Sequence, residues 1–249
     1  MKKPLVSVLL SAAILLTAGA ARSWADTITF NNQSLHPDGT ITVGNTVTLA
    51  SGVIDSVARI LPLAGFNITG TCGPTGNTTF GCLNFTTGTF LGTNTNTAAN
   101  DYDYLGGGVI TVTGGIASLG IPNGTVLWTG TFDATSNVIL QFDDICATAP
   151  TQCTGSLTGT LSTGTFNPTL ALALGVSANS LGGNDQSLFV QFTGISAPTT
   201  GFPSGTAMGN TNQLQVVTPA APVPESGSLI LVGIGLVAGA KYLRRRRLA

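Results

Sequence analysis

Apolar residues recur at every second position through most of this chain, and glycine-rich breaks separate the runs. Ile41, Val43, Val47 and Leu49 alternate with threonines around Gly44-Asn45, a pattern that predicts two strands joined by a two-residue hairpin turn. Leu188, Val190 and Phe192 alternate with polar residues in the same way. Val126 and Trp128 lead into Phe132, and Val138, Leu140 and Phe142 predict another strand. Gly106-Gly107-Gly108 and Gly114-Gly115 bracket a short strand over Val109–Thr113. Thr and Val dominate these runs, as suits a half-buried pleated surface. The tetrapeptide Thr-Gly-Thr-Phe occurs at 87–90, 129–132 and 163–166. Those intervals are too uneven for a solenoid or propeller blade, so the three copies read as similar strand starts in one sheet system. Asn167-Pro168 can cap a short helix through Leu174, but the alternating Leu170, Leu172 and Leu174 argue equally for a strand. Many short strands without a long helical period predict an all-β fold, a sandwich or jelly roll.

The two ends break this pattern. Lys2 and Lys3 precede an apolar run from Leu5 to Leu16, and Ser23-Trp24-Ala25 places small residues at −3 and −1. This predicts a signal peptide over residues 1–25, cut before Asp26, with Ala18-Gly19-Ala20 as the competing site. At the other end Ser228–Ala240 is uncharged, Lys241 follows, and Arg244, Arg245, Arg246 and Arg247 close the tail. With Tyr242 and Leu243 the apolar run reaches about 20–24 Å, a short membrane helix over about 227–243. Lys241 can snorkel toward the interface, and the arginines of the basic tail 244–249 hold the C-terminus on the cytoplasmic side. Gly235 and Gly239 form a GxxxG pair of the kind that packs helices, although glycine is common in such tails.

Val223-Pro224-Glu225-Ser226 stands immediately before this span. Motif, short span and cationic stop together resemble the PEP-CTERM sorting signal of Gram-negative bacteria, here residues 222–249. The resemblance implies an exosortase-type membrane protease as partner. It also implies passage through the inner membrane as a transient intermediate, then delivery to the outer surface or extracellular matrix. Members often carry a second proline where this chain has Ser226. Asn84 to Ile116, with its Phe-Thr-Thr-Gly and Thr-Val-Thr-Gly-Gly stretches, is similar to segments of uncharacterised exported members. The plainer alternative for the tail is a permanent membrane anchor that is never cut.

Between the two signals lies a single exported domain, residues 26–221. The whole chain has a net charge of −1, but the positive residues sit mostly in the ends. From Asp26 to Val223, nine aspartates against one arginine (Arg59) leave −8. Such a surface disfavours nucleic acid and anionic lipid, and suits divalent cations or neutral polysaccharide. Four cysteines lie in two local pairs, Cys72 with Cys82 and Cys146 with Cys153. Export, even count and spacings unlike a zinc site predict two local disulfides.

Catalytic residue types are scarce. His36 is the only histidine and sits in a turn-like stretch, Leu35-His36-Pro37-Asp38-Gly39. A paired-carboxylate glycosidase would have to use aspartates alone, because the domain lacks glutamate. Asp143-Asp144 would point to opposite faces of a strand, whereas Asp101 and Asp103 would share one. Calcium is the one cofactor this composition suggests. Asn100, Asp101 and Asp103 are its candidate ligands, with Asn184 and Asp185 second. Tyr102, Tyr104 and Trp128 could alternatively form a sugar-stacking platform. Asn67, Asn77, Asn84 and Asn123 head Asn-x-Ser/Thr sequons. The expectation is a non-enzymatic protein of the cell surface or extracellular polysaccharide matrix. A calcium- or glycan-binding module and a secreted polysaccharide-active enzyme are the alternatives.

Overall fold

The computed structural model describes residues 25–32, 39–59, 64–72, 80–94, 101–142, 154–180, 183–193 and 205–219. Among them no helix is long and apolar enough to cross a membrane. The expected C-terminal span, the sorting motif Val223–Ser226, the membrane stop and residues 1–24 of the expected signal peptide lie outside the described residues.

Fourteen strands are present among the described residues, all paired antiparallel in one sheet. In chain order they are β1 (Ala25–Asn31), β2 (Gly39–Val43), β3 (Val47–Ile54), β4 (Ser56–Arg59) and β5 (Ala64–Asn67). There follow β6 (Gly81–Thr86), β7 (Phe90–Asn94), β8 (Asp101–Tyr104), β9 (Val109–Ile116) and β10 (Ile121–Phe132). The last four are β11 (Val138–Phe142), β12 (Thr154–Phe166), β13 (Gly183–Thr193) and β14 (Gly205–Pro219). A short helix α1 (Pro168–Leu174) follows β12. The expected hairpin at Gly44-Asn45 forms, but Val43 pairs with Val47, so three residues make the turn instead of two.

Eight strands close a ring of pairings. β2 pairs with β3, β3 with β6, β6 with β9 and β9 with β10; β10 pairs with β12, β12 with β13, β13 with β14, and β14 returns to β2. The ring strands pair in chain order, as an up-and-down meander. A jelly roll pairs its strands in Greek-key order, so that half of the expectation is corrected, while the all-β, sandwich-like architecture stands. Two flanks extend the ring. β14 gives Gly205–Gly209 to β2 and Gln213–Pro219 to β1, which carries β4 and β5. β12 gives Leu161–Phe166 to β10 and Gly155–Thr158 to β11, which carries β8 and β7. Ring closure satisfies backbone groups that open sheet edges would leave unpaired.

Period-two alternation fills the interior. Ile41, Leu83, Ile110, Leu157, Val190 and Leu214 are all fully buried, one from each of six ring strands, and the threonines between such positions face out. Burying a side chain of this size contributes about 1.5–3 kcal/mol. β12 alternates small and large inward residues, because a Cβ at Gly159 would stand 2.6 Å from the ring of Phe132. The Cys72–Cys82 disulfide forms as expected, with Cα atoms 5.2 Å apart. It pins the segment after β5 to β6, where Ile68 packs into space left by Gly81 and Gly114. Cys146 and Cys153 lie outside the described residues.

Segment 167–174 is helical. The Asn167 side-chain oxygen accepts the N–H groups of Thr169 (3.0 Å) and Leu170 (3.3 Å), and Pro168 occupies the first turn. Leu170, Ala171 and Leu174 are buried while Leu172 is exposed, which is helical and not strand periodicity. Gly175 ends the helix at φ 67°, a left-handed position that glycine adopts without strain. Arg59 donates from Nη1 to the Leu174 carbonyl (2.7 Å) and the Gly175 carbonyl (3.2 Å). Arg59, the one lysine or arginine between Asp26 and Val223, thus sits at the negative end of α1.

Candidate functional site

The β8 sequence Asp101-Tyr102-Asp103-Tyr104 sends its tyrosines inward and its aspartates to the opposite face. Asp101 lies opposite Asn94 and Gln141, and Asp103 opposite Gly92 and Ile139. Asp101 is buried, and half-buried Asp103 accepts from Asn137 Nδ2 at 3.2 Å. The two carboxylates therefore share a face, as period two requires. Asn100 lies outside the described residues. Among the described residues, no group of three or more His, Cys, Asp or Glu is placed to hold a metal ion. Asn184 and Asp185 fall within β13.

The aromatic platform does not exist at the surface. Tyr102 is 3% exposed, and Tyr104 and Trp128 are fully buried. Tyr102 meets Phe142 edge-on with ring centroids 5.6 Å apart, Tyr104 meets Phe90 at 5.4 Å, and Trp128 meets Phe166 at 6.4 Å. Their apolar area is worth more in the core than on a wet face. Burial pushes both phenols above the ordinary tyrosine range, and at Tyr104 the neighbouring Tyr102 adds to that push. The Tyr104 hydroxyl donates to the Gly44 carbonyl at 3.2 Å.

Two of the three Thr-Gly-Thr-Phe copies close strands instead of starting them. The copies at 129–132 and 163–166 end β10 and β12 and pair with each other, Thr129 opposite Thr165 and Gly130 opposite Gly164. The copy at 87–90 bridges β6 and β7, and its Thr87 hydroxyl accepts the Val47 N–H at 2.9 Å. On the outer face the pairing continues from Thr129 to Thr111 of β9 and on to Asn84 of β6. Thr165, Thr129, Thr111 and Asn84 thus form one cross-strand row. Beside its first member lies an open groove of about 330 Å³, lined by Thr163, Gly164, Thr165, Asn179 and Ser180. Ser180 is buried there: its Oγ accepts the Gly164 N–H (2.6 Å) and its own N–H donates to the Gly164 carbonyl (2.9 Å). Sequence reading did not single out this groove. The repeated tetrapeptide was its signal, but the pairing of two copies was not visible.

A second cleft of about 180 Å³ is lined by Thr71, Phe80, Cys82, Thr113, Asn123 and adjoining glycines. Of the sequons, Asn84 is committed to structure, because its Oδ1 accepts the N–H of Ser51, a non-glycine at φ 58°. Asn123 Oδ1 accepts from the Thr69 hydroxyl at 2.8 Å. Asn67 lies exposed on β5. Asn77, His36 and Asp143-Asp144 lie outside the described residues. No protein-family model, no curated protein and no solved structure matches this chain.

Proposed function

We propose that the chain is an exported, non-enzymatic protein of the cell surface or extracellular polysaccharide matrix, delivered through the inner membrane and processed there at its C-terminal signal. The observation that carries this reading is the order of features over residues 222–249. A Pro-Glu motif, a marginal apolar span and four arginines occur in the sequence that a membrane-side protease substrate needs. Pro224 resists helix continuation and keeps the motif extended outside the bilayer. The short span makes a transient intermediate, and the arginines fix which side the motif faces. The N-terminal Lys2-Lys3 and apolar run supply the export half of the arrangement. Burial of the large aromatics, which leaves threonine, serine and asparagine outside, suits a stable matrix module better than a pocket enzyme.

Mass spectrometry of the protein recovered from the culture medium tests this reading. A mature form beginning near Asp26 and ending before the arginines is expected, with non-reducing peptide maps linking Cys146 to Cys153 as well as Cys72 to Cys82. A recovered form that retains Arg244–Arg247 would overturn the processing step, and free thiols at Cys146 and Cys153 would overturn the second bridge.

A further inference from the structure

We propose that Asn123 is a site of self-modification, where the folded chain converts its own Asn-Gly linkage to aspartate and isoaspartate through a succinimide. Neither export nor sorting enters into this. Asn123-Gly124 is the one Asn-Gly pair in the sequence. It lies in a bulge, because β10 advances four residues from Ile121 to Thr125 while β9 advances two, from Ile116 to Gly114. Pro122, Asn123 and Gly124 are all exposed there. Gly124 sits at φ 80°, a left-handed position open to glycine, and has no Cβ to crowd its own nitrogen. Asn67 and Asn137 are exposed too, but each precedes a β-branched residue, Ile68 and Val138.

The surroundings of Asn123 suit the attack. The Thr69 hydroxyl stands 2.8 Å from Asn123 Oδ1 and 3.3 Å from the Gly115 carbonyl, so its closer acceptor is the side chain. A Cβ at Gly115 would collide with the same Oδ1, which therefore rests on bare backbone. As the Gly124 nitrogen attacks Cγ, negative charge builds on Oδ1, and the Thr69 hydroxyl is in place to stabilise it. The Cγ–Nδ2 bond breaks, and ammonia leaves with the proton that the attacking nitrogen gives up. Water then opens the ring at Cγ, leaving aspartate, or at the main-chain carbonyl carbon, leaving isoaspartate. One water is consumed, one ammonia is released, and nothing is oxidised or reduced. The open cleft of about 180 Å³ that Asn123 and Gly124 line admits this water. Every residue lining that cleft is uncharged, so the product carboxylate is its first charge, and the Asn123-Gly124-Thr125 sequon is lost. Isoaspartate lengthens the backbone where the ladder is already interrupted, so the pairing on either side can persist.

Mass spectrometry of the full chain, aged in detergent in a mildly alkaline buffer at physiological temperature, tests the proposal. Chymotrypsin, cutting after Leu119 and Leu127, frees the peptide that carries Asn123. In folded wild type this peptide should give way to two products of equal mass, aspartyl and isoaspartyl, faster than the peptides carrying Asn67 and Asn137 change. Thr69→Val keeps the shape and removes the donor, and should slow conversion at least threefold with an unchanged melting midpoint. Thr69→Ser, which restores a hydroxyl, should recover the wild-type rate. In urea, where Thr69 no longer meets Asn123, all three chains should convert alike. An Asn123 that stays intact in the folded protein while the unfolded chain converts would overturn the proposal. So would a folded Thr69→Val protein that converts as fast as wild type or faster, since the hydroxyl would then only restrain the side chain.

Discussion

Gly130 and Gly164 stand directly opposite each other across β10 and β12, with no side chain between the two backbones. The indole of Trp128 fills the space that their missing side chains leave. A Cβ at 164 would stand 2.6 Å from Trp128 Cζ2 and 2.6 Å from the Thr129 carbonyl, and one at 130 would collide with the same ring. The indole is fully buried and its Nε1–H meets no acceptor among the described residues. Shape complementarity, and not hydrogen bonding, holds it there. Two copies of one tetrapeptide thus act together as a socket for a residue just outside the repeat.

Gly130→Ala should destabilise the domain by about 1–3 kcal/mol through overpacking against the ring. In a Trp128→Leu background the same change should cost much less, because the colliding atoms are gone. Urea midpoints of the four proteins complete the cycle, and strict additivity would refute the socket.

The strands were legible because the interior is lined by every second residue, and β2 and β11 carry that period in full. Side choice was not legible. Asp101-Tyr102-Asp103-Tyr104 announces two opposite faces, but only the pairing of β8 between β7 and β11 decides that the tyrosines turn inward. Closure of the ring between β2 and β14 joins residues more than 160 positions apart, and no local pattern encodes it. The helix at 168–174 was open because Leu170, Leu172 and Leu174 satisfy a strand. Asn167 and Gly175 decide the matter by satisfying the helix ends. The groove was missed because Ser180 and Asn179 reach β12 only through the turn that follows this helix.

Arg59 joins β4 to the carbonyl end of α1. Arg59→Met keeps the apolar stem and removes the donors, and should cost about 1–3 kcal/mol. Arg59→Lys should recover part of that loss, since an ammonium can still reach one carbonyl. Amide exchange at Gly175 and Val176, whose N–H groups close the helix, should accelerate selectively in the methionine variant. Unchanged exchange there would remove Arg59 from the account of the helix end.

Tyr102 and Tyr104 predict an alkaline limit. Burial raises both phenols, so the folded protein holds these protons more tightly than the unfolded chain. Their contribution is complete below the ordinary tyrosine value near 10 and is lost as pH rises toward the raised folded values. In a Tyr242→Phe background, tyrosinate absorbance should therefore appear only together with unfolding. Reversible titration of the folded protein near the ordinary value would contradict their burial.

Processing at the C-terminus tests the central claim most directly, by following the chain's mass and membrane partition in cells of a host that processes it. Pro224→Ala with Glu225→Ala should leave export intact and abolish trimming, so that the uncut protein accumulates in the inner membrane. Replacing Arg244–Arg247 with serine should likewise block trimming, through loss of the stop that holds the motif on the outer side. If the Pro224→Ala, Glu225→Ala protein is still trimmed and released as wild type is, the sorting account is wrong.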